Sequence, residues 1–272
     1  SSTQCFITML ENYSGATRVH LIVGDPIAQV KSPFGVTQAF ESHGRDAICV
    51  PAHVTPADLT DWWAGTKRAR NIDGLIVTVP HKFACTTFCD TLSERAAFLG
   101  TVNTVRRDAQ GHWHGDMFDG LGYVRAMEKN GCTLNNKRAL LVGAGGAGSA
   151  IAHSLVLAGV SELAIHDPDD QRRQSLIDRL NSLKLGKVTQ GSSDPTGFDV
   201  AINATPIGMK ETDPTPIETT QIHSDMFVGC VITAPAITPL IAAARAKGCK
   251  TVTGADMFAQ VRELMVNFLL EV

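Results

Sequence analysis

The sequence predicts an α/β protein of two lobes, one a doubly wound parallel sheet and the other a smaller α/β unit. Three observations predict it. Short apolar runs that read as strands alternate with amphipathic stretches along most of the chain, as parallel βα units do. A glycine cluster, Gly143 to Gly148, stands directly after the apolar run Ala139 to Val142 and directly before a helical pattern. The length of 272 residues suits one large domain or two modest ones.

Residues 1–17 read as an irregular lead-in. Val19 to Gly24 is a short apolar strand, and Asp25 to Ala28 is a turn. Ser32 before Pro33 starts a helix that runs through Phe40. Asp46 to Pro51 is the next strand, and Ala57 to Ala69, with Leu59, Trp62 and Trp63, is an amphipathic helix. Asp73 to Val79 is a fully apolar strand stopped by Pro80, and a helix is expected from about Lys82. Thr101 to Arg106 is a strand, Asp108 to Gly111 a hairpin turn, and His112 to Gly115 pairs back. A helix after Asp119 and Gly120 links to the glycine-rich half. There, Leu163 to His166, Val188 and Thr189, Asp199 to Asn203, Met226 to Ile232 and Lys250 to Thr253 read as strands. Thr238 to Lys247 and Met257 to Leu270 read as helices. The domains are therefore expected at 1–119 and 120–254, with a C-terminal helix at 255–272 returning to the first. A cleft between the lobes is the expected ligand site.

The apolar fraction of 44% and charged fraction of 19% are those of an ordinary soluble globular protein. Net charge is −3 and no long basic run occurs, which argues against nucleic acid or an anionic membrane as the main partner. No apolar run reaches the roughly 18–20 residues of a membrane span, and no secretory signal pattern opens the chain. The seven cysteines, Cys5, Cys49, Cys85, Cys89, Cys132, Cys230 and Cys249, are odd in number and lie mostly in apolar runs, as reduced thiols of a cytoplasmic protein do. The nine histidines are scattered, and no metal site is expected.

The glycine cluster carries the first chemistry. In Gly-x-Gly-x-x-Gly, Gly143 permits a tight turn, Gly145 lets a pyrophosphate approach the backbone, and Gly148 lets helix and strand lie close. Free N–H groups at the helix start then face the phosphates. An acid about 20 residues further on normally meets the ribose, and Asp167 stands there at the end of the second strand. A dinucleotide site of the Rossmann type follows, with Gly143, Ala144, Gly145, Gly146, Ala147 and Asp167 as its residues.

A dinucleotide lobe beside a second α/β lobe suggests hydride transfer. Oxidising an alcohol then needs a base near the carbinol. Val77-Thr78-Val79-Pro80-His81-Lys82 places a cation at the C-terminal end of a strand, and Asp119 follows as a carboxylate able to hold it. On composition alone, a lysine after a strand is more often solvated surface than catalyst.

Five ordered motifs change that balance. They are Ser32-Pro33, Val77 to Lys82, Gly100-Thr101-Val102-Asn103-Thr104, Gly143 to Gly148, and Asn203-Ala204-Thr205-Pro206-Ile207-Gly208-Met209. Together they resemble the shikimate/quinate dehydrogenase family across nearly the whole chain, and Thr238-Pro239-Leu240 adds a shorter match. The resemblance implies that Lys82 is the acid/base residue and Asp119 its partner. It also implies that Ser32, Thr78, Asn103 and Gln260 meet a small cyclic hydroxy acid, and that Asn203, Thr205 and Gly254 join the cofactor site.

Several positions depart from the pattern. The first serine of Ser-x-Ser-Pro is Val30, an asparagine position is Ile76, and Gly-x-Asn-Thr-Asp reads Gly115-Asp116-Met117-Phe118-Asp119. A tyrosine position is Thr233, and the late glutamine comes one residue early as Gln260, about 100° round its helix. Losing one donor to a buried charge costs about 1.5–3 kcal/mol, so a shifted substrate preference is expected. His166-Asp167-Pro168-Asp169-Asp170 stands where NADP-dependent members carry Asn-Arg-Thr. Acids repel a 2′-phosphate, so NAD is preferred; Arg172 and Arg173 nearby keep NADP possible. The expected protein is a monomer or homodimer. Two other readings compete: a dinucleotide-binding sensor without turnover, and a two-lobed enzyme such as a methylenetetrahydrofolate dehydrogenase. The Lys82–Asp119 pair argues against the first, and the motif order against the second.

Overall fold

The structure, a computed structural model, describes residues 12–271; most of the expected lead-in, with Cys5, lies outside the described residues. The chain forms two compact units, Ser1–Phe118 with Arg262–Val272 and Asp119–Val261. The long C-terminal helix thus contributes its first part to the second unit.

The first unit holds a six-stranded mixed sheet in the order β2-β1-β3-β5-β6-β4. Its parallel part is β1 (Arg18–Gly24), β2 (Ala47–His53) and β3 (Ile72–Val77). β5 (Thr104–Arg107) and β6 (Trp113–Asp116) form the expected hairpin, with β5 antiparallel to both β3 and β6. Asp108 Oδ1 closes that hairpin by accepting from the N–H groups of Gln110 and His112. A short β4 (Thr91–Leu92) completes the edge.

Helix α1 (Ser32–Ser42) follows β1. Ser32 is its first residue and not its cap, since Lys31 holds the cap position without a side-chain bond. Helix α2 (Leu59–Thr66) is preceded by a 3-10 turn over Pro56–Asp58, so the expected helix is shorter and begins tighter. No α-helix starts at Lys82. Ala84–Phe88 is a 3-10 turn instead, in which the hydroxyls of Thr86 and Thr87 donate back to the carbonyls of Phe83 and Ala84. The regular helix is α3 (Glu94–Leu99), capped by Ser93. Strand ends also differ from the sequence reading: β3 stops at Val77 and β5 starts at Thr104, which leaves Thr78 and Asn103 outside the strands.

The second unit is all parallel, in the order β12-β11-β10-β7-β8-β9. Its strands are β7 (Arg138–Val142), β8 (Glu162–His166), β9 (Lys187–Gln190), β10 (Val200–Asn203), β11 (Phe227–Cys230) and β12 (Lys250–Val252). This is the doubly wound order, which reverses direction between β7 and β10. The helices are α4 (Asp119–Lys129), α5 (Gly146–Leu157), α6 (Asp170–Asn181), α7 (Pro239–Ala246) and α8 (Gly254–Leu270), the last running into the first unit. Strands buried on both faces read as apolar runs, and Leu140, Leu141, Ile165, Ile202 and Val228 all have zero or near-zero exposure. α6 is capped by Asp169, whose side chain accepts from Arg172 N–H.

Candidate active site

The second unit's glycine loop sits where the sheet reverses. Gly143 has φ +110°, in the region that favours glycine, and its N–H donates to the His166 carbonyl. A Cβ on Gly148 would overlap the carbonyl oxygen of Gly143, so α5 touches the loop backbone directly. At Gly145 and Gly146 a Cβ would meet nothing within 4 Å. Those two glycines are not demanded by packing. They leave open backbone at the start of a 12-residue helix, which fits a pyrophosphate. Gly145 itself is the cap of α5 and offers no side-chain acceptor, so the first-turn N–H groups lack a capping side chain.

Asp167, where the ribose contact is expected, is also bonded within the protein. It is 2% exposed. Oδ2 accepts from Ala144 N–H at 2.8 Å and Oδ1 from Asp169 N–H at 2.9 Å. Arg172 Nη2 donates to both oxygens, at 3.0 and 2.9 Å. Burial alone would raise the carboxyl pKa, but these donors outweigh it and hold the group below the usual carboxylate range. Three donor groups making four contacts occupy the carboxylate. Asp167 therefore fastens the glycine loop to the start of α6 and presents Arg172, which is half exposed.

Asn203 is likewise bonded within the protein. Its side chain is fully buried and is engaged within its own turn. Oδ1 accepts from the N–H and the hydroxyl of Thr205, and Nδ2 donates to the Ile207 carbonyl at 3.1 Å. Thr205 Oγ1 in turn accepts from Ile207 N–H. The pair shapes the turn after β10, beside the loop: Ala204 N–H donates to the Val142 carbonyl. Gly254 opens α8 under the carbonyls of Val231 and Ile232, where a Cβ would overlap both; it is a packing position. Gln260 lies half-buried on α8 within the second unit.

In the first unit the polar residues collect at the C-terminal end of the parallel strands. Thr78 N–H donates to the Val23 carbonyl, and Asp25 N–H to the Val79 carbonyl, joining the ends of β1 and β3. His81 is buried and its Nε2 meets the Val54 carbonyl at 2.6 Å, anchoring the loop that carries Lys82. The Lys82 carbonyl accepts from Val102 N–H at 2.9 Å, and Val77 N–H donates to the Asn103 carbonyl at 2.7 Å. The lysine loop and the asparagine segment are thus tied together on both sides. Ser32, at the start of α1, is buried at the same end of the sheet.

Asn103 is 3% exposed, and its Oδ1 accepts from Phe118 N–H at 3.1 Å and from the Thr104 hydroxyl at 3.0 Å. It pins the chain one residue before Asp119, the buried first residue of α4. The sequence reading passed over Asp116, which secures the same stretch. Its carboxylate accepts from Ser93 Oγ, from Met117 N–H and bidentately from Arg95. Burial raises its pKa, and Arg95 and Ser93 pull it below the usual range. The altered positions Ile76 and Met117 are buried, Val30 is half-buried, and Thr233 is exposed. Among the described residues no group of three or more His, Cys, Asp or Glu could hold a metal ion.

The shikimate dehydrogenase substrate binding domain matches residues 22–105, and the ThiF family matches 123–177. Shikimate dehydrogenase (NADP(+)) of Thermococcus kodakarensis is 35% identical over 247 residues, covering 89% of this chain and 86% of that protein. The chain belongs to the shikimate dehydrogenase family. It is an NAD(P)-dependent dehydrogenase. Quinate/shikimate dehydrogenase (NAD(+)) of Corynebacterium glutamicum strain R is 38% identical over 192 residues, 68% of each chain. The ligand-free 5-ketofructose reductase of Gluconobacter sp. strain CHM43 superposes with a TM-score of 0.87 at 28% identity, over 95% of both chains. The named relatives therefore span two cofactors and more than one substrate. No helix among the described residues is long and apolar enough to cross a membrane.

Proposed function

We propose that this dehydrogenase interconverts a hydroxyl and a ketone on a shikimate- or quinate-like cyclic hydroxy acid, with a substrate preference shifted from that of shikimate enzymes. The carrying observation is the pair of backbone bonds that tie the Lys82 loop to the Asn103 segment, through Val102 N–H and Val77 N–H. They support a pocket wall in which Lys82, Thr78 and Asn103 act on one small molecule. The nicotinamide cofactor, when bound, accepts or returns the hydride. Lys82 takes the hydroxyl proton in oxidation and gives it back in reduction. Asp119 is read as the carboxylate that orients the Lys82 ammonium. Ser32, Thr78 and Asn103 are read as the hydrogen-bonding groups for the substrate, with Gln260 at its margin.

NAD is the preferred cofactor in this reading. Asp167, Asp169 and Asp170 carry three negative charges at the tip of β8, against two positive charges on Arg172 and Arg173. Arg173 is already paired with Asp170 at 2.9 Å, and Arg172 with Asp167. The surplus charge disfavours a 2′-phosphate, while the exposed Arg172 leaves some NADP use. Steady-state kinetics with shikimate and quinate, each with NAD and NADP, test both parts. Turnover of neither acid sinks the substrate assignment. An NADP efficiency at or above that with NAD sinks the cofactor assignment. A binder without turnover is disfavoured by the placement of Lys82 on a loop anchored at His81 and at its own carbonyl.

A further inference from the structure

Arg262 stands on the part of α8 that belongs to the first unit. Among the described residues no hydrogen bond or ion pair holds its guanidinium. The side chain lies across α1 at Gly35: a Cβ there would overlap Arg262 Nη1 and touch its Cδ and Cζ at 3.3 Å. The spot is therefore available to a guanidinium only because residue 35 is glycine. Helical side chains lean toward the N-terminus of their helix, so the place a residue-35 side chain would fill overlies the first turn of α1. Ser32 is in that turn, three residues earlier, and positions three apart carry Cβ atoms about 5–6 Å from one another. Arg262 and Ser32 are thus neighbours on one face.

That face offers donors, and the first turn of α1 carries no acid. Ser32 is 7% exposed, and no group among the described residues bonds its hydroxyl. Lys31 caps α1 without a side-chain bond, and no acid stands in the first turn of this 11-residue helix. A buried hydroxyl, an open helix N-terminus and an unpaired guanidinium meet at one place. Each is suited to a carboxylate, and the guanidinium most of all because it can bind both oxygens.

We propose that Arg262, with Ser32 and the start of α1, holds the carboxylate of the substrate. The assignment rests on the reading of Ser32 as a substrate residue, and it deepens that reading by fixing the substrate as an anion. It also accounts for Val30. A valine there donates nothing, and a cation reaching over from α8 restores the lost recognition with a stronger group. The substrate preference is then set by a charge on the C-terminal helix, and a neutral ketose is a poor fit.

The test compares wild type, Arg262→Met and Arg262→Lys with shikimate, quinate and the methyl ester of shikimate. Kinetics and calorimetric binding of acid and cofactor are both read. Methionine keeps the stem that packs on Gly35 and removes the charge. KM for the acids should rise roughly ten- to hundredfold in Arg262→Met, with kcat and cofactor affinity little changed. The ester's KM should be the same in both proteins, and lysine should restore part of the loss. Equal acid KM in wild type and Arg262→Met overturns the assignment, as does an equal loss for acid and ester, since that marks packing alone. A wild type that neither binds nor turns over either acid overturns the substrate reading beneath it, a different result from an active wild type indifferent to Arg262.

Discussion

The two units hold their polar groups in opposite ways. In the second unit the recognition element is backbone: the loop at Gly143 to Gly148 is bare, and the side chains around it are engaged, Asp167 in holding it and Asn203 in shaping the adjacent turn. In the first unit backbone bonds do most of the holding: Thr78, Lys82 and Asn103 ride on segments tied by main-chain contacts, and the Asn103 side chain adds a pin through Phe118 N–H. Polar residues at a strand end are thus poor guides to ligand contact until their own partners are known. A buried carboxylate with three donor groups, as at Asp167, has a structural part to play whatever its place in a motif.

Substitutions at the loop break this comparison most strongly. Gly148→Ala puts a Cβ into the Gly143 carbonyl and should destabilise the fold by at least about 3 kcal/mol in denaturant titration. Gly145→Ala meets nothing within 4 Å and should leave stability unchanged while weakening cofactor binding in calorimetry. If Gly145→Ala also unfolds the protein, the loop is scaffold throughout and the contrast fails. Next in size is Lys82→Met, which should lower kcat by about 10²–10⁴-fold with cofactor affinity intact. A comparable loss in cofactor binding would make Lys82 a structural group.

The third test uses pH. His20 is buried beside Phe40, ring centroids 4.6 Å apart, and burial pushes its pKa down to about 4 from 6.5. The folded state favours neutral imidazole, so the stabilisation is full above about pH 6.5 and is lost as pH falls toward 4. The whole effect is at most about 3 kcal/mol. Arg18 and Asp73 are the charges that act on it from β1 and β3. His20→Phe should flatten that part of the stability–pH curve; an unaltered curve would assign the acid sensitivity elsewhere. Smallest is Asn203→Ala, expected to cost about 1–3 kcal/mol by orphaning Thr205 N–H and the Ile207 carbonyl. Its effect on the cofactor should appear only through the turn. A loss of cofactor affinity with no loss of stability would return Asn203 to direct contact.

The architecture was legible because its signals are local. Apolar runs between turn residues locate β1, β3, β7 and β10, and the glycine spacing locates α5. The tight turn at Ala84–Phe88 was not, because Thr86 and Thr87 compete for the carbonyls that a helix would use, and residue periodicity does not register that competition. Lys82 and Asn103 were legible as a pattern, although the bonds that join their segments are main-chain and leave no trace in residue type. The internal bonds of Asp167 were hidden for the same reason: its partners are two backbone N–H groups and an arginine whose reach depends on the α6 cap. Arg262 became visible only through the space that Gly35 leaves.

Tyr123 has a further use. It is one of two tyrosines, fully buried on α4, and its hydroxyl stands against Gly229 without a hydrogen-bond partner among the described residues. Burial, with Cys230 and Asp256 nearby, raises its pKa well above 10. In alkali this phenol stays un-ionised until the second unit opens. Half-buried Tyr13, in the first unit, is raised by burial and Glu41. The chain therefore carries its own optical reporter, without label or engineered dye: the Tyr123 share of the tyrosinate absorbance, added to that of Tyr13, appears only as the dinucleotide unit opens.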